Sequence, residues 1–257
     1  KAANPAGLLK SVEAKLIASL FFMACISAVA GISLGNSAVF ILDNYIKVVI
    51  AAFLLLAGIR NARDLYTLVF AYVVGSGILA YMALFLFRLT SGAGGHLSRL
   101  SKLYTFDAND MCVVLIVGLP LAILIYRHSA GLLKWLAIGV VVAIGGALAR
   151  SGSRGALVGL AATGGLLLFV LKTIPLWKRA SFVAVVFAAL VIAAPPGYWQ
   201  QMKTILGLKE DYNWSNQDGR KELILRGMTY MMTYPLTGLG IGNFARAECM
   251  SDLSEKV

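Results

Sequence analysis

"LKWLAIGVVVAIGGALARSGSRGALVGLAATGGLLLFVL", residues 133–171, holds two apolar runs, Leu133–Ala149 and Gly155–Leu171, with only five residues between them. Each run has about the length a helix needs to cross a hydrocarbon core, roughly 17–25 residues. A five-residue gap leaves no room for a soluble domain, so the two predicted helices cross and return. Five more runs have this character: Lys15–Ser33, about Val39–Ile59, Tyr66–Phe87, Met111–Tyr126 and Ser181–Gly197. Met111–Tyr126 is short for a span, so its helix is expected to recruit flanking residues. None of the runs alternates apolar with polar residues as barrel strands do. The predicted fold is all-α and polytopic. About seven transmembrane helices fill residues 1–197, and a partly helical, water-exposed segment fills 198–257. The chain begins at Lys1 and stops in a polar stretch, and it reads as a fragment of a longer protein.

Composition agrees. The 257 residues are 59% hydrophobic and 14% charged, against about 45–50% and 25% in soluble domains. The net charge of +11 would suggest nucleic acid in a soluble chain, but here the basic residues flank membrane helices and meet anionic headgroups. Cys25, Cys112 and Cys249 have no metal-site or disulfide spacing and read as small packed apolar residues.

The loops set an orientation. Lys1, Lys10 and Lys15, then Arg60 and Arg63, then Arg127 and Lys134, then Lys172, Lys178 and Arg179 fall in alternate gaps. These gaps read as cytoplasmic. Residues 34–38, 88–110, 150–154 and the tail after Gly197 then lie outside. Yet the short gap 150–154 holds Arg150 and Arg154, which the positive-inside rule leaves unexplained. Asp43 and Lys47, four apart in the second run, share a helix face and are placed to pair.

The outer segments carry the remaining chemistry. Gap 88–110 is Gly/Ser-rich in front, then sets Arg99 and Lys102 near Tyr104 and Phe106, before Asp107, Asn109 and Asp110. Any of these last three could cap the following helix, a reading as good as a functional one. In the tail, Asp218 is placed to cap a helix over Arg220–Tyr234 whose Leu223, Met228, Met231 and Met232 form an apolar stripe, and Pro235 ends it. Glycines 238, 240 and 242 follow. Their spacing is not that of a dinucleotide site, and the bend reads as one that lets backbone approach a ligand or another helix. His96 and His128 read as loop residues with no metal partners around them.

Three stretches in order, "FDANDM" at 106–111, "SGSRGALVGL" at 151–160 and "DGRKELILRGMTYMMTYPLTGLGIGNF" at 218–244, resemble the O-antigen ligase and polymerase superfamily, and most of all its O-glycosylation ligase branch. The resemblance spans roughly Arg99 to Phe244. It implies a glycosyltransferase of the bacterial inner membrane that moves a glycan from an undecaprenyl diphosphate carrier to a hydroxyl on the periplasmic side, with inversion and without a metal or other cofactor. The acceptor is a lipid A core in ligases, a growing glycan in polymerases and a protein hydroxyl in the related oligosaccharyltransferases. By position, the family's diphosphate-binding arginines carry over to Arg154, to Arg220 and, less closely, to Arg99. Ser153, Gly155, Asn109, Gly240 and Asn243 are candidates for supporting contacts. The family's general-base histidine, which follows the Gly-rich block, has no counterpart here. Neither His96 nor His128 stands in the matching place, and the expectation is that it lies beyond Val257.

The residues make a case of their own. A guanidinium stays protonated and offers a planar fork of donors, which suits a diphosphate. The leaving diphosphate gains charge as the glycosidic bond breaks, so a fixed cation there lowers the barrier more than it tightens binding. Gly and Ser around Arg154 leave space for a phosphate at the start of a helix, itself an anion site. Arg150 reads equally as an anchor to phospholipid phosphates. The alternative of another class is a transporter of a lipid-linked anionic glycan. It would carry charges near the bilayer midplane and internal repeats, whereas nearly all charges here sit at helix ends and no repeat is visible.

Overall fold

The computed structural model of the protein describes residues 11–87, 89–91, 98–100, 107–170, 174–203, 205 and 219–254. The apolar runs become helices α1 (Val12–Ala30), α2 (Leu34–Gly58), α3 (Ala62–Leu86), α4 (Ala108–His128), α5 (Leu132–Ser151), α6 (Arg154–Val170) and α7 (Leu176–Ala193). All but α6 are long and apolar enough to cross a membrane, and α6 is a 17-residue apolar helix. Short helices α8 (Tyr198–Lys203), α9 (Arg220–Thr233) and α10 (Phe244–Ser254) follow. The protein is an all-α, multi-pass membrane protein. Among the described residues its β structure is a small antiparallel pair, β1 (Leu89–Ser91) and β2 (Ser98–Leu100), in the segment expected to be a flexible loop.

Caps explain where the helices depart from the apolar runs. Ser11 accepts from the Ala14 N–H at 3.1 Å and starts α1 early. Ser33 caps α2, so residues 34–38 are helix and not the expected outer loop. Asp107 starts α4 in a reciprocal capping box with Asp110, and the short fourth run does recruit flanking residues, to 21 in all. The ring of Pro120 is tolerated inside it. Pro175 precedes α7, which begins at Leu176 and carries Lys178 and Arg179 in its first turn instead of leaving them in a loop. Pro195 and Pro196 keep that helix from reaching Gly197. The cap position of α9 falls on Gly219, with no side-chain hydrogen bond, and Asp218 lies outside the described residues. Two π-helical turns interrupt the spans, Ile41–Tyr45 in α2 and Met82–Leu86 at the end of α3. Asp43 falls in the first, and among the described residues no ion pair joins it to Lys47.

The chain divides into two compact units, residues 1–65 with 212–257, and residues 66–211. In the second unit α5 packs against α4 and α7, and α4 also against α6. Its core is a set of stripes at helical spacing: Met111, Leu115, Leu119, Ala122 and Ile125 on α4 face Ala137, Val141, Ile144 and Leu148 on α5. A Cβ on Gly145 would lie 2.7 Å from the Val186 carbonyl, so α5 and α7 meet backbone to backbone, as small residues permit between membrane helices. The outward faces are apolar and bare, with Phe169 76% and Ile192 85% exposed, as surfaces meant for lipid are.

In the first unit the Gly-rich bend is held by the turn between α1 and α2. Ser27 Oγ donates to the Thr237 carbonyl at 2.7 Å, the Ile32 N–H to Leu239 at 3.0 Å and Ser37 Oγ to Ile241 at 2.8 Å. Gly240 has φ of 90°, and a Cβ there would meet the Gly31 Cα at 2.9 Å. Both the left-handed backbone and the contact with α1 therefore demand glycine. On α9, Arg226 pairs with Glu248 of α10 at 2.6 Å and Tyr230 Oη donates to the same carboxylate at 3.0 Å.

Candidate functional site

Only Gly152 and Ser153 separate α5 from α6, fewer than the five residues expected, and with their neighbours they form a tightly specified step. Gly152, with φ of 60°, ends α5 in the left-handed conformation, and its N–H bonds the Ala149 carbonyl at 3.2 Å. Ser151, fully buried, accepts from the Ser153 N–H at 3.1 Å and donates to the Leu148 carbonyl at 2.6 Å. Ser153 is also buried. Its hydroxyl accepts from the Ala156 N–H at 3.3 Å, which makes it the N-cap of α6, and donates to Asn109 Oδ1 at 2.6 Å. The Asn109 amide in turn donates to the Asp107 carboxylate at 3.0 Å. The start of α4 and the start of α6 are thus tied by a chain running Asp107, Asn109, Ser153.

Arg154 is the first residue of α6, half-buried, beside this cap. Gly155 is exposed, and a Cβ placed on it would meet only Ser153 Oγ, at 3.7 Å. The fold therefore does not need glycine there. Arg150 has a different task. Its guanidinium donates to the carbonyls of Leu84 and, at 3.2 Å, Phe87. These carbonyls are left over where the π-turn ends α3, so Arg150 completes the C-terminus of that helix rather than reaching for lipid.

Sequence reasoning missed Tyr198. It is 1% exposed, packs with Ala149 and Leu190, and its hydroxyl has no hydrogen-bond partner among the described residues. Burial, and then the neighbouring Cys112 thiol, push its phenol up to about 12. The signal was slight: one tyrosine after Pro195-Pro196-Gly197, in a stretch that reads as the start of a polar tail.

The other candidates are spread over the chain. Arg99 lies on β2 opposite Thr90, and Arg220 opens α9 in the first unit; their side chains lie outside the described part. Lys102, Tyr104, Phe106 and His96 fall outside the described residues. His128 is the last residue of α4, with Nδ1 2.9 Å from the Leu124 carbonyl. Asn243 is fully buried. Its amide donates within 3.3 Å to Ser33 O, Ser37 Oγ and Leu239 O, and its Oδ1 accepts from Asn36 at 2.9 Å. Asn243 and Gly240 therefore fasten the Gly-rich bend to α1 and α2.

Helices of this length and these bare apolar faces, turned at an ordered basic step, define a multi-pass α-helical membrane protein. Residues 138–252, from α5 into α10, match the family model described as O-antigen ligase. The match takes in the Ser151–Gly155 step, α9 and the Gly-rich bend. No curated protein and no solved structure matches the chain.

Proposed function

We propose that the protein is a glycosyltransferase of the bacterial inner membrane that moves a glycan from an undecaprenyl diphosphate carrier to a hydroxyl acceptor on the periplasmic side. The observation that carries the reading is the placement of Arg154. A guanidinium at the first position of α6 stands beside the positive end of the helix, and Ser153 and Asn109 fix where that end begins. This end takes the diphosphate and holds its charge as the bond to the sugar breaks. Arg220 and Arg99 are proposed as further donor-binding cations. Residues 1–197 supply the membrane domain and 198–257 the periplasmic segment. The family match supports glycan transfer with a lipid-linked donor and an acceptor in general. The undecaprenyl diphosphate donor, the inverting and metal-independent course and the periplasmic face are our reading. A polysaccharide polymerase or a protein O-oligosaccharyltransferase would use the same step with another acceptor.

The direct test is transfer of a labelled glycan from its lipid diphosphate, in membranes holding the complete protein, with the Arg154→Ala variant alongside. Loss of transfer at unchanged protein level is expected. Wild-type transfer would remove Arg154 from the reaction.

A further inference from the structure

The opposite end of the same helices carries a second basic site. Helices α4 and α6 end there, and α5 and α7 begin there, so it lies about 30 Å from Arg154 along a 20-residue helix. A cavity of about 360 Å³ is lined by Arg127, Lys134, Lys178 and Arg179, with Tyr126 and Phe182 beside them. Among the described residues no carboxylate lines it, and the sequence has no Asp or Glu between Asp110 and Glu210. Arg179 spends part of its guanidinium on the Leu168 carbonyl, and its Nε is buried with no partner among the described residues. Lys134 lies 4.7 Å over the Tyr126 ring, which holds its charge at the cavity.

Two apolar crevices adjoin the cavity. One, about 350 Å³, shares Leu167 and Phe182 with it and runs between α4, α6 and α7 past Gly164 and Gly165. The other, about 250 Å³, shares Tyr126, Lys178 and Phe182 and runs between α4, α5 and α7 past Val141. A free phosphate would need the cations and nothing else. A cavity whose charges are all cationic and that leads into two apolar crevices fits a headgroup with two chains. We infer that this end of the protein binds one diacyl anionic phospholipid, its phosphate among Arg127, Lys134 and Lys178 and its chains along the two sides of Phe182. Basic pockets between membrane helices are general sites for such headgroups.

The test uses the purified protein in detergent, with bound lipid read by native mass spectrometry. The probes are phosphatidylglycerol, phosphatidylcholine and inorganic phosphate. Phosphatidylglycerol is expected to stay bound where phosphatidylcholine does not. Arg127→Gln/Lys178→Gln should weaken it about thirtyfold, each exposed cation being worth roughly fivefold at an anionic lipid surface. The control Lys15→Gln/Lys203→Gln removes the same charge elsewhere and should change nothing. Gly165→Phe fills the first crevice, where a Cβ has nothing within 4 Å, and should weaken the lipid severalfold while leaving the cations in place. Equal retention of phosphatidylcholine, equal weakening by the control, or displacement by millimolar phosphate with Gly165→Phe silent would each overturn the proposal. The last result would make the cavity a site for a free anion.

Discussion

Arg150 and Arg154 are four residues apart and have the same side chain, yet their environments assign them different work. Arg150 is consumed by two carbonyls at the end of α3. Arg150→Ala would remove the charged donor shared by the Leu84 and Phe87 carbonyls, at about 1.5–3 kcal/mol per hydrogen bond, so fold and transfer should fall together in a thermal-unfolding and activity comparison. Arg154→Ala should lower transfer by about 100-fold or more, the usual effect of removing one charge-stabilising donor, in protein that still inserts and folds. Gly155→Ala separates space for the fold from space for a ligand. The fold has room for the methyl group, and helix propensity favours alanine by roughly 0.5–1 kcal/mol. A stable but slowed variant would mean that something approaches Gly155 during turnover; unchanged turnover would mean that nothing does. Tyr198 makes a pH prediction. Its phenol is raised from the ordinary 10 to about 12, so the fold favours the neutral form. The stability this contributes is fully present below pH 10 and is lost as pH rises through 12. Tyr198→Phe should abolish that alkaline loss in a pH series of unfolding curves, and near neutrality it should be harmless, since the buried hydroxyl has no partner to lose.

Helices show how far sequence reaches and where it stops. The apolar runs located α1 to α7, because burial in lipid is written into composition over some twenty residues. Boundaries were shifted by single residues whose effect is local: Ser33 moves the start of α2, and Pro175 draws two cations into α7. A cation in the first turn of a membrane helix keeps its stem apolar and its head in water, so charge alone did not mark the loop. The step at 151–155 was legible as a site because its residues are adjacent. Its tie to Asn109 was not, since the partner lies 44 residues upstream. Nor was the part played by Asn243, whose contacts are spread over the first two helices more than 200 residues away. From the loop alone, a Gly-Asn pair suits a ligand as well as a packed turn. Asn243→Ala should release the bend from α1 and α2, leaving Ser37 and two carbonyls without their donor, and should expose residues 234–243 to limited proteolysis.

At the scale of the molecule, the described cations of the second unit gather at its two ends. One end of the second unit presents the Ser153–Arg154 step, the other four cations around a cavity, with a long acid-free stretch between. Under the proposed function a guanidinium takes the place that a divalent ion holds in other phosphoryl sites, so a chelator should leave transfer by the complete protein intact. Activity that vanished with the chelator and returned with added metal would contradict this. The lock between the Gly-rich bend and the α1–α2 turn has a consequence for biosynthesis. Ser27 and its partner Thr237 are 210 residues apart, and Ser37 meets Asn243 across 206. At roughly 5–20 residues per second, the second half of the lock is made about 10–40 s after the first has entered the membrane. Throughout that interval the hydroxyls of Ser27 and Ser37, the Ile32 N–H and the Ser33 carbonyl wait in or beside lipid for these partners. The nascent first hairpin is therefore a client for whatever shields polar helix faces during insertion, and ribosomes that pause before residue 243 prolong its need.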